Sequence, residues 1–268
     1  MPSFSHEIRF APVLLQLEAT LAQLLHDYSL QLELAHVHWP VLRVSFPHHP
    51  ANFRHGLWSH FVGLGIDAEE IQVNAMKQKK ELAFTDGWTK VPVFTDHEGT
   101  VVVDSTPIML YIDDKYNQGK LSSGKGTERY DGMMNHVDTV WKNATIPILY
   151  GSLGSAFSTT RRISKLEKFG FISRRLYAWA GFPIMWGIIA KKRVKKDGRT
   201  PKKLWHDLLT EYTESFEGKD FFGGEQPNLV DFAAFGYMRS VSPFKQFRLL
   251  EEHENGMIWY RKMEQHLN

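Results

Sequence analysis

Apolar positions in residues 41–118 follow a pattern of short strands interrupted by helical spacing. Four runs have the length and the alternation or continuity of β-strands, and they lie at 41–46, 70–73, 92–94 and 101–103. A helical pattern at 51–64 separates the first two runs, and a short Lys-rich helix follows at 76–82. The pattern predicts a small mixed sheet with helices between its strands.

After a linker rich in Gly and Ser at 119–126, every apolar pattern has helical spacing. The predicted helices cover 130–141, 164–190 with an interruption at 181–183, 202–216, 229–237 and 256–267. We therefore predict an α/β domain at 41–118 followed by an all-helical domain at 127–268. Residues 1–40 form an N-terminal extension, in which a Leu-rich stretch at 11–35 predicts an extra amphipathic helix. This helix either braces the body or docks on a partner or a membrane surface.

The stretch 89–106 carries the most informative chemistry of the chain. Pro92 opens a strand, a position where its missing N–H is tolerated. The following strand ends at Asp104 and Ser105, which are both good N-cap residues. The helix that they open, predicted over 107–116, presents free N–H groups and the positive end of its dipole. Such a helix start suits a carboxylate.

The order strand, helix, strand, helix, strand, strand, helix is that of a thioredoxin-like domain, with one parallel pair joined by a crossover and an antiparallel edge. With the stretch just described, it resembles the glutathione-binding half of the glutathione transferases. This resemblance implies glutathione as co-substrate, and it assigns the backbone at Val91 and Pro92 to the cysteinyl part. It also assigns Asp104 and Ser105 to the γ-glutamyl carboxylate and amine, and places Lys90 near the glycyl carboxylate.

A second motif, close to residue 230, supports the same family. A Gly-Gly pair is followed by Asn228 and, three residues later, by Asp231, which predicts a structural capping box at the start of a buried helix. The family carries Ser or Thr where this chain has Asn, an exchange that N-cap chemistry tolerates. The segments 227–231, 237–241 and 259–264 are similar to the type-2 prostaglandin E synthase branch of the family.

The chain departs from that branch at its reactive turn. The branch has a Cys-Pro-x-Cys turn, whereas this chain contains no Cys, and Ala51 and Arg54 stand at the two positions. Thioltransferase chemistry through an enzyme cysteine is therefore excluded, and prostaglandin isomerase activity is not expected. The tyrosine of other classes is missing too. We expect Asn52, Arg54 or Ser45 to hold the thiolate of bound glutathione near a helix start. In the competing interpretation Asn52 only caps the helix and Arg54 faces water.

We expect the helical domain to line a site for an apolar co-substrate. The candidate lining residues are Tyr130, Trp141, Phe171 and Trp186. Our leading hypothesis is a glutathione-dependent transferase or lyase that acts on an apolar or electrophilic small molecule. The alternative is a catalytically silent module of the same fold that binds a partner or docks on a membrane.

Composition limits the kinds of protein and partner that remain. The chain has 268 residues and is 43% hydrophobic, which allows a sizeable core. Its net charge of +2 favours no particular partner. Without Cys there are no disulfides, and the His pairs lack the spacing of a metal site, so we expect no metal. No apolar run reaches the roughly 18 residues of a membrane span, and the first residues do not form a signal peptide. We expect a cytoplasmic protein and no nucleic-acid partner. The sequence is compatible with a homodimer but does not determine the oligomeric state.

One basic stretch, 191–203, contains eight basic residues and one acid, and it follows the uncharged residues 176–190. We interpret it as the exposed end of a buried helix, where positive charges suit the dipole. The alternative interpretation is a weak contact with a membrane surface.

Overall fold

Four strands of three residues each form one sheet in the order β2-β1-β3-β4. The strands are β1 (Val41–Arg43), β2 (Glu69–Ile71), β3 (Val93–Thr95) and β4 (Val101–Val103). The structure is a computed structural model that describes residues 41–43, 69–71, 78–90, 92–96, 98–166 and 185–267. The predicted helices at 11–35 and 51–64 lie outside the described residues.

Helices account for most of the described chain. The α-helices are α1 (Gln78–Glu81), α2 (Ser105–Asn117), α3 (Glu128–His136), α4 (Lys142–Tyr150), α5 (Leu153–Leu166), α6 (Lys191–Asp197), α7 (Pro201–Glu214), α8 (Leu229–Val241), α9 (Arg248–Glu251) and α10 (Glu254–His266). Two π-helical turns, Val137–Trp141 and Met185–Ala190, lead into α4 and α6, and a short 3-10 helix, Lys245–Phe247, precedes α9. This confirms an α/β part followed by an all-helical part.

The sheet has the strand order of a thioredoxin-like domain, with one parallel pair as predicted. The parallel pair is β1 and β3, whereas β1 and β2 are antiparallel, and β3 with β4 forms the expected antiparallel hairpin. An alternating pattern is the same in both directions, and the long connection from β1 to β2 allows either one.

A buried carboxylate, Asp96, closes the β3–β4 hairpin and fastens it to α2. One oxygen accepts from the N–H groups of Glu98 (2.9 Å) and Thr100 (2.8 Å). The other accepts from Lys115 Nζ at 2.7 Å and from the Tyr111 hydroxyl. Burial opposes the charge on Asp96, but these donors outweigh it and hold the pKa of the carboxyl well below its ordinary value. The hairpin and the helix that follows it are therefore held as one unit.

The predicted linker consists of turns anchored at both ends. Asp113, buried in α2, accepts from the Leu121 N–H (3.1 Å), the Ser122 N–H (2.8 Å) and the Asn117 side chain (2.7 Å). The Leu121 carbonyl in turn accepts from the N–H of Leu229 at the start of α8 (3.0 Å). Residues 118–127 thus join the two parts of the chain through specific contacts.

Four aromatic rings form the centre of the helical part. Tyr212 packs edge-on against Trp141 and Trp259, with ring centroids 5.2 and 5.1 Å apart. Trp141 also meets Trp205 at 5.5 Å, and the Trp205 indole donates to the Ala144 carbonyl (3.1 Å). All four rings are buried, so they contribute a large part of the hydrophobic stabilisation of this core.

The predicted capping box is present and has more partners than a local motif requires. Asn228 caps α8 by accepting from the N–H groups of Val230 (2.9 Å) and Asp231 (3.3 Å). The buried Asp231 carboxylate accepts five hydrogen bonds. Its donors are the N–H groups of Asn228 (3.0 Å), Phe222 (3.0 Å) and Gly223 (2.9 Å), the Tyr212 hydroxyl (2.8 Å) and the Trp259 indole (3.2 Å). Burial raises the pKa of the Asp231 carboxyl against the opposing effect of these donors.

Helix boundaries follow their caps more closely than the apolar pattern does. The helix predicted at 130–141 starts after the Thr127 cap and continues through the first π-helical turn to Tyr150. Of the helix predicted at 164–190, only 164–166 at the end of α5 and 185–190 in the second π-helical turn lie within the described residues. Helix α5 was not predicted, although the Ser152 hydroxyl accepts from the Ser155 N–H (3.1 Å) at its start.

Replacing Asp231 by Ala should cost far more stability than replacing Asn228. Asp231→Ala leaves five donors without their acceptor, and we expect a loss of about 3 kcal/mol or more in the free energy of unfolding. Asn228→Ala should cost about 1 kcal/mol, and Asn228→Ser, which retains a capping oxygen, only a few tenths. Denaturant unfolding of the three variants measures these differences. Equal losses for Asp231→Ala and Asn228→Ala would show that the long-range donors contribute nothing.

Candidate functional site

The start of α2 is held against the start of β3 by a residue with unusual backbone geometry. Asp104, the N-cap of α2, has φ 71° and ψ 150°, a region that residues with a side chain rarely adopt. Its N–H donates to the Pro92 carbonyl (3.2 Å), which connects the two ends of the hairpin. Strain of this kind costs on the order of 1–3 kcal/mol and is concentrated at functional sites.

The first turn of α2 keeps two donors for an anion. The Asp104 carboxylate accepts from the Ser105 N–H (2.8 Å), and Pro107 has no N–H to offer. Among the described contacts, the Thr106 N–H has no acceptor, and the Ser105 hydroxyl lies 3.5 Å from Asp104 Oδ1, at the limit of a hydrogen bond. These two groups stand at the positive end of a helix of 13 residues.

Two side chains of the helical part face this helix start. Asp138, in the first π-helical turn, accepts from the Thr106 hydroxyl (2.6 Å). Burial raises the pKa of the Asp138 carboxyl, and the charge of Asp104 adds to that effect, whereas the bond from Thr106 and the charge of Lys142 oppose it. Tyr237 of α8 is 6% exposed, and its hydroxyl has no hydrogen-bond partner within the described residues. Burial raises the pKa of the Tyr237 hydroxyl, as do the charges of Asp138 and Asp104, so this hydroxyl stays protonated.

The arrangement combines anion donors with two carboxylates. No described Lys, Arg or His forms an ion pair with Asp104 or Asp138, and one oxygen of each carboxylate has no hydrogen-bond donor in the described part of the chain. Each carboxylate therefore keeps an acceptor for an ammonium group, and the helix start keeps donors for a carboxylate. This is the chemistry that recognises the zwitterionic end of an amino acid.

The residues predicted for glutathione are only partly within the described chain. Pro92, Asp104 and Ser105 come together as described, and Lys90, half-buried, has its Nζ 5.9 Å from the centre of the Trp88 ring. Val91 lies outside the described residues, as do all three candidates for the thiolate, Ser45, Asn52 and Arg54.

The three aromatic candidates for a co-substrate site that lie within the described residues have different surroundings. Trp141 is fully buried in the aromatic core, where it packs against Trp205 and Tyr212. Tyr130 is buried beneath the linker, close to Gly124. Trp186 is half-buried, with Lys191 Nζ 4.0 Å from its ring centre, and Phe171 lies outside the described residues.

Sequence reasoning missed three residues of the site: Thr106, Asp138 and Tyr237. Thr106 was visible as part of the Asp-Ser-Thr helix start, but its contact with Asp138 spans 32 positions. No local motif indicates Asp138 or Tyr237, since each lies within an ordinary helical pattern. Only the packing of the helical part on α2 brings them to this place.

Comparison with known proteins agrees with this geometry. The family model of the glutathione S-transferase N-terminal domain matches residues 61–120. A solved structure of glutathione S-transferase-I bound with lactoylglutathione has the same fold, with a TM-score of 0.50 and 15% identity, covering 78% of this chain and 87% of the other. Prostaglandin E synthase 2 of Danio rerio is 28% identical over 122 residues, which are 44% of this chain and 32% of that protein. The protein of the same name from Mus musculus is 28% identical over 122 residues, 44% of this chain and 31% of its own length.

The fold is that of a glutathione S-transferase, and the family model of the N-terminal domain of these enzymes matches part of the chain. Over 122 residues the chain is similar to prostaglandin E synthase 2. The aligned part spans about a third of the length of these relatives, so their activity is not transferred to the chain by similarity alone. The resemblance inferred from the 89–106 stretch and from the capping box is confirmed.

The strain at Asp104 can be measured by comparing two substitutions there. Asp104→Gly removes the carboxylate but relaxes the backbone, whereas Asp104→Ala removes the carboxylate and keeps the strain. We expect the Ala variant to be less stable than the Gly variant in denaturant unfolding. The same pair at Thr200, an N-cap with φ −66°, serves as the control. The difference between Ala and Gly should be larger at 104 by about 1 kcal/mol. Equal differences at the two sites would mean that Asp104 is not strained.

Proposed function

We propose that this protein is a glutathione-dependent transferase or lyase that acts on an apolar or electrophilic small molecule. The observation that carries the proposal is the start of α2, which Asp104 holds against Pro92 and which faces Asp138 and Tyr237. This arrangement fits the γ-glutamyl end of glutathione, which carries a carboxylate and an ammonium group on one carbon. The matched transferase domain supports the same ligand, and so does the solved relative described with lactoylglutathione.

In this proposal the helix start binds the γ-glutamyl carboxylate through the Ser105 hydroxyl and the Thr106 N–H. The ammonium group lies between Asp104 and Asp138, with the protonated Tyr237 hydroxyl beside them. Hydrogen bonds to charged groups contribute about 1.5–3 kcal/mol each, so these contacts suffice for millimolar or tighter binding. Lys90 approaches the glycyl carboxylate, and the backbone at Val91 supports the cysteinyl part.

The reactive thiol belongs to glutathione, because the chain contains no Cys. The pKa of a free thiol, about 8.5, is lowered by a helix start or a nearby cation. We propose Asn52 and Arg54, with Ser45 as the further candidate, for this role. The thiol proton passes to solvent, and the thiolate attacks the electrophilic carbon of the co-substrate. As the C–S bond forms, the bond to the leaving group breaks and that group departs with the electron pair; in an addition, the pair moves to the neighbouring atom of the multiple bond, which then takes a proton from solvent.

The absence of Cys also favours a second candidate function. A chain that has lost the reactive turn of its relatives can retain the fold as a binding module without catalysis. Such a module need not keep the tripeptide pocket, so glutathione binding and turnover separate the two functions.

Calorimetry should show that the full chain binds glutathione, and that binding depends on both ends of the γ-glutamyl group. Ser105→Ala and Asp138→Asn should each weaken binding by roughly tenfold to a hundredfold. Against an analogue that lacks the γ-glutamyl amine, Asp138→Asn should have almost no further effect, whereas Ser105→Ala should keep its full effect. No binding of glutathione to the unaltered protein at millimolar concentration would end the proposal.

The pH dependence of binding provides an independent readout of the Asp138 contact. An ammonium ligand needs the ionised carboxylate, and the pKa of Asp138 is raised above its ordinary value. Affinity for glutathione should therefore fall as the pH is lowered from 7 through that raised pKa. The affinity of the Asp138→Asn variant should not fall in this way. An equal fall in affinity in that variant would show that another group is responsible.

Turnover with an activated chloroaromatic electrophile tests the thiolate assignment. Asn52→Ala should lower kcat at neutral pH more than it weakens glutathione binding, and a higher pH should partly restore the rate because more thiolate forms without help. Arg54→Ala should act in the same direction but less strongly. His48→Ala provides a matched control from the same loop and should change little. Glutathione binding without turnover of any electrophile would favour the silent module.

A further inference from the structure

Four lysines on α6 form an unpaired cationic face. Lys191, Lys192, Lys195 and Lys196 are all exposed, and their spacing places them within about 140° of one another around the helix axis. None of them forms an ion pair with a carboxylate in the part of the chain that the structure describes. The net charge of the chain is only +2, so this face is a local concentration of positive charge.

The three basic residues of the stretch 191–203 that follow α6 are arranged differently. Arg199 pairs with Asp197 (2.7 Å) and Asp207 (3.1 Å), and Lys203 pairs with Asp207 (2.8 Å). Lys202 forms an ion pair with Glu252. The fold thus neutralises the residues that follow α6, while the four lysines on α6 keep their charge for a partner outside the chain.

Exposed apolar side chains lie next to this cationic face. Ile188, in the π-helical turn that runs into α6, is 58% exposed. Lys191 packs over the half-buried ring of Trp186 in the same turn. Helix α5, which contacts this turn, exposes Leu153 and Phe157 one helical turn apart. Of the six large apolar side chains that are exposed in the described residues, three are on these two neighbouring elements.

From this combination we infer that α6 and the π-helical turn before it form a docking surface for an anionic lipid membrane. Lysines attract the negative surface of a bilayer, while exposed Ile, Leu and aromatic side chains enter its interfacial layer. A purely electrostatic partner such as a nucleic acid would need the lysines but not the apolar groups. None of the described helices is both long and apolar enough to cross a bilayer.

The inference is tested by flotation of the full chain with vesicles of phosphatidylcholine alone or with 30% phosphatidylserine added. We expect binding to the anionic vesicles only, and a loss of binding as the salt concentration rises. Each lysine near such a surface contributes about fivefold to the partition coefficient. Changing all four lysines of α6 to Gln should therefore lower it at least about fiftyfold. Ile188→Ser should lower it less, and by the same factor at every salt concentration at which both proteins still bind.

A matched control removes four positive charges elsewhere. Lys79, Lys80, Lys120 and Lys125, all exposed, change to Gln together and leave the same net charge as the α6 variant. The control variant should bind anionic vesicles nearly as well as the unaltered protein, and changing the four α6 lysines to Arg should also preserve binding. Equal losses in the α6 and control variants would assign binding to net charge and overturn the inference. The inference would also be overturned if the unaltered protein failed to bind anionic vesicles. Retention of the protein on heparin, a polyanion without a lipid phase, would not support it.

Discussion

The helical part of the molecule depends on one buried carboxylate. Asp231 is reached by donors from α7, from the loop before α8, from the cap of α8 and from α10. A buried charge is tolerated only when its hydrogen bonds are all made, so these segments stabilise one another through a shared acceptor. Helix α8 packs on α2 and carries Tyr237, and its position is set by the same carboxylate. The candidate site therefore depends on an interaction formed well away from it.

The candidate site lies where the two parts of the chain meet. Asp104 and Thr106 belong to the α/β part, and Asp138 and Tyr237 belong to the helical part. The linker between them is held by Asp113 and by the bond between Leu229 and Leu121, so the two halves keep their relative position. A ligand at the start of α2 would contact both parts at once. This differs from a site built on the α/β part alone, as the hairpin motif would suggest.

Features with local causes could be predicted from the sequence. The capping box at Asn228 and Asp231 involves partners three positions apart, and the hairpin between β3 and β4 follows from two apolar runs and a turn. Long-range contacts could not be predicted in this way. Neither the bonds of Tyr212 and Trp259 to Asp231 nor the bond between Thr106 and Asp138 leaves a trace in spacing or composition. The sequence also could not show whether Trp141 lines a pocket or packs in the core, because an aromatic residue at helical spacing is equally compatible with both.

The strained backbone at Asp104 transfers a conformational cost from ligand binding to folding. Its geometry is imposed by the bond to Pro92 and by the hairpin that Asp96 fastens to α2. The conformational cost is met when the chain folds, so an incoming ligand meets donors that are already in position and loses little entropy in ordering them. A substitution that relaxed this residue would yield a more robust fold with a less prepared site. At this one position, selection for thermal resistance and selection for affinity act in opposite directions.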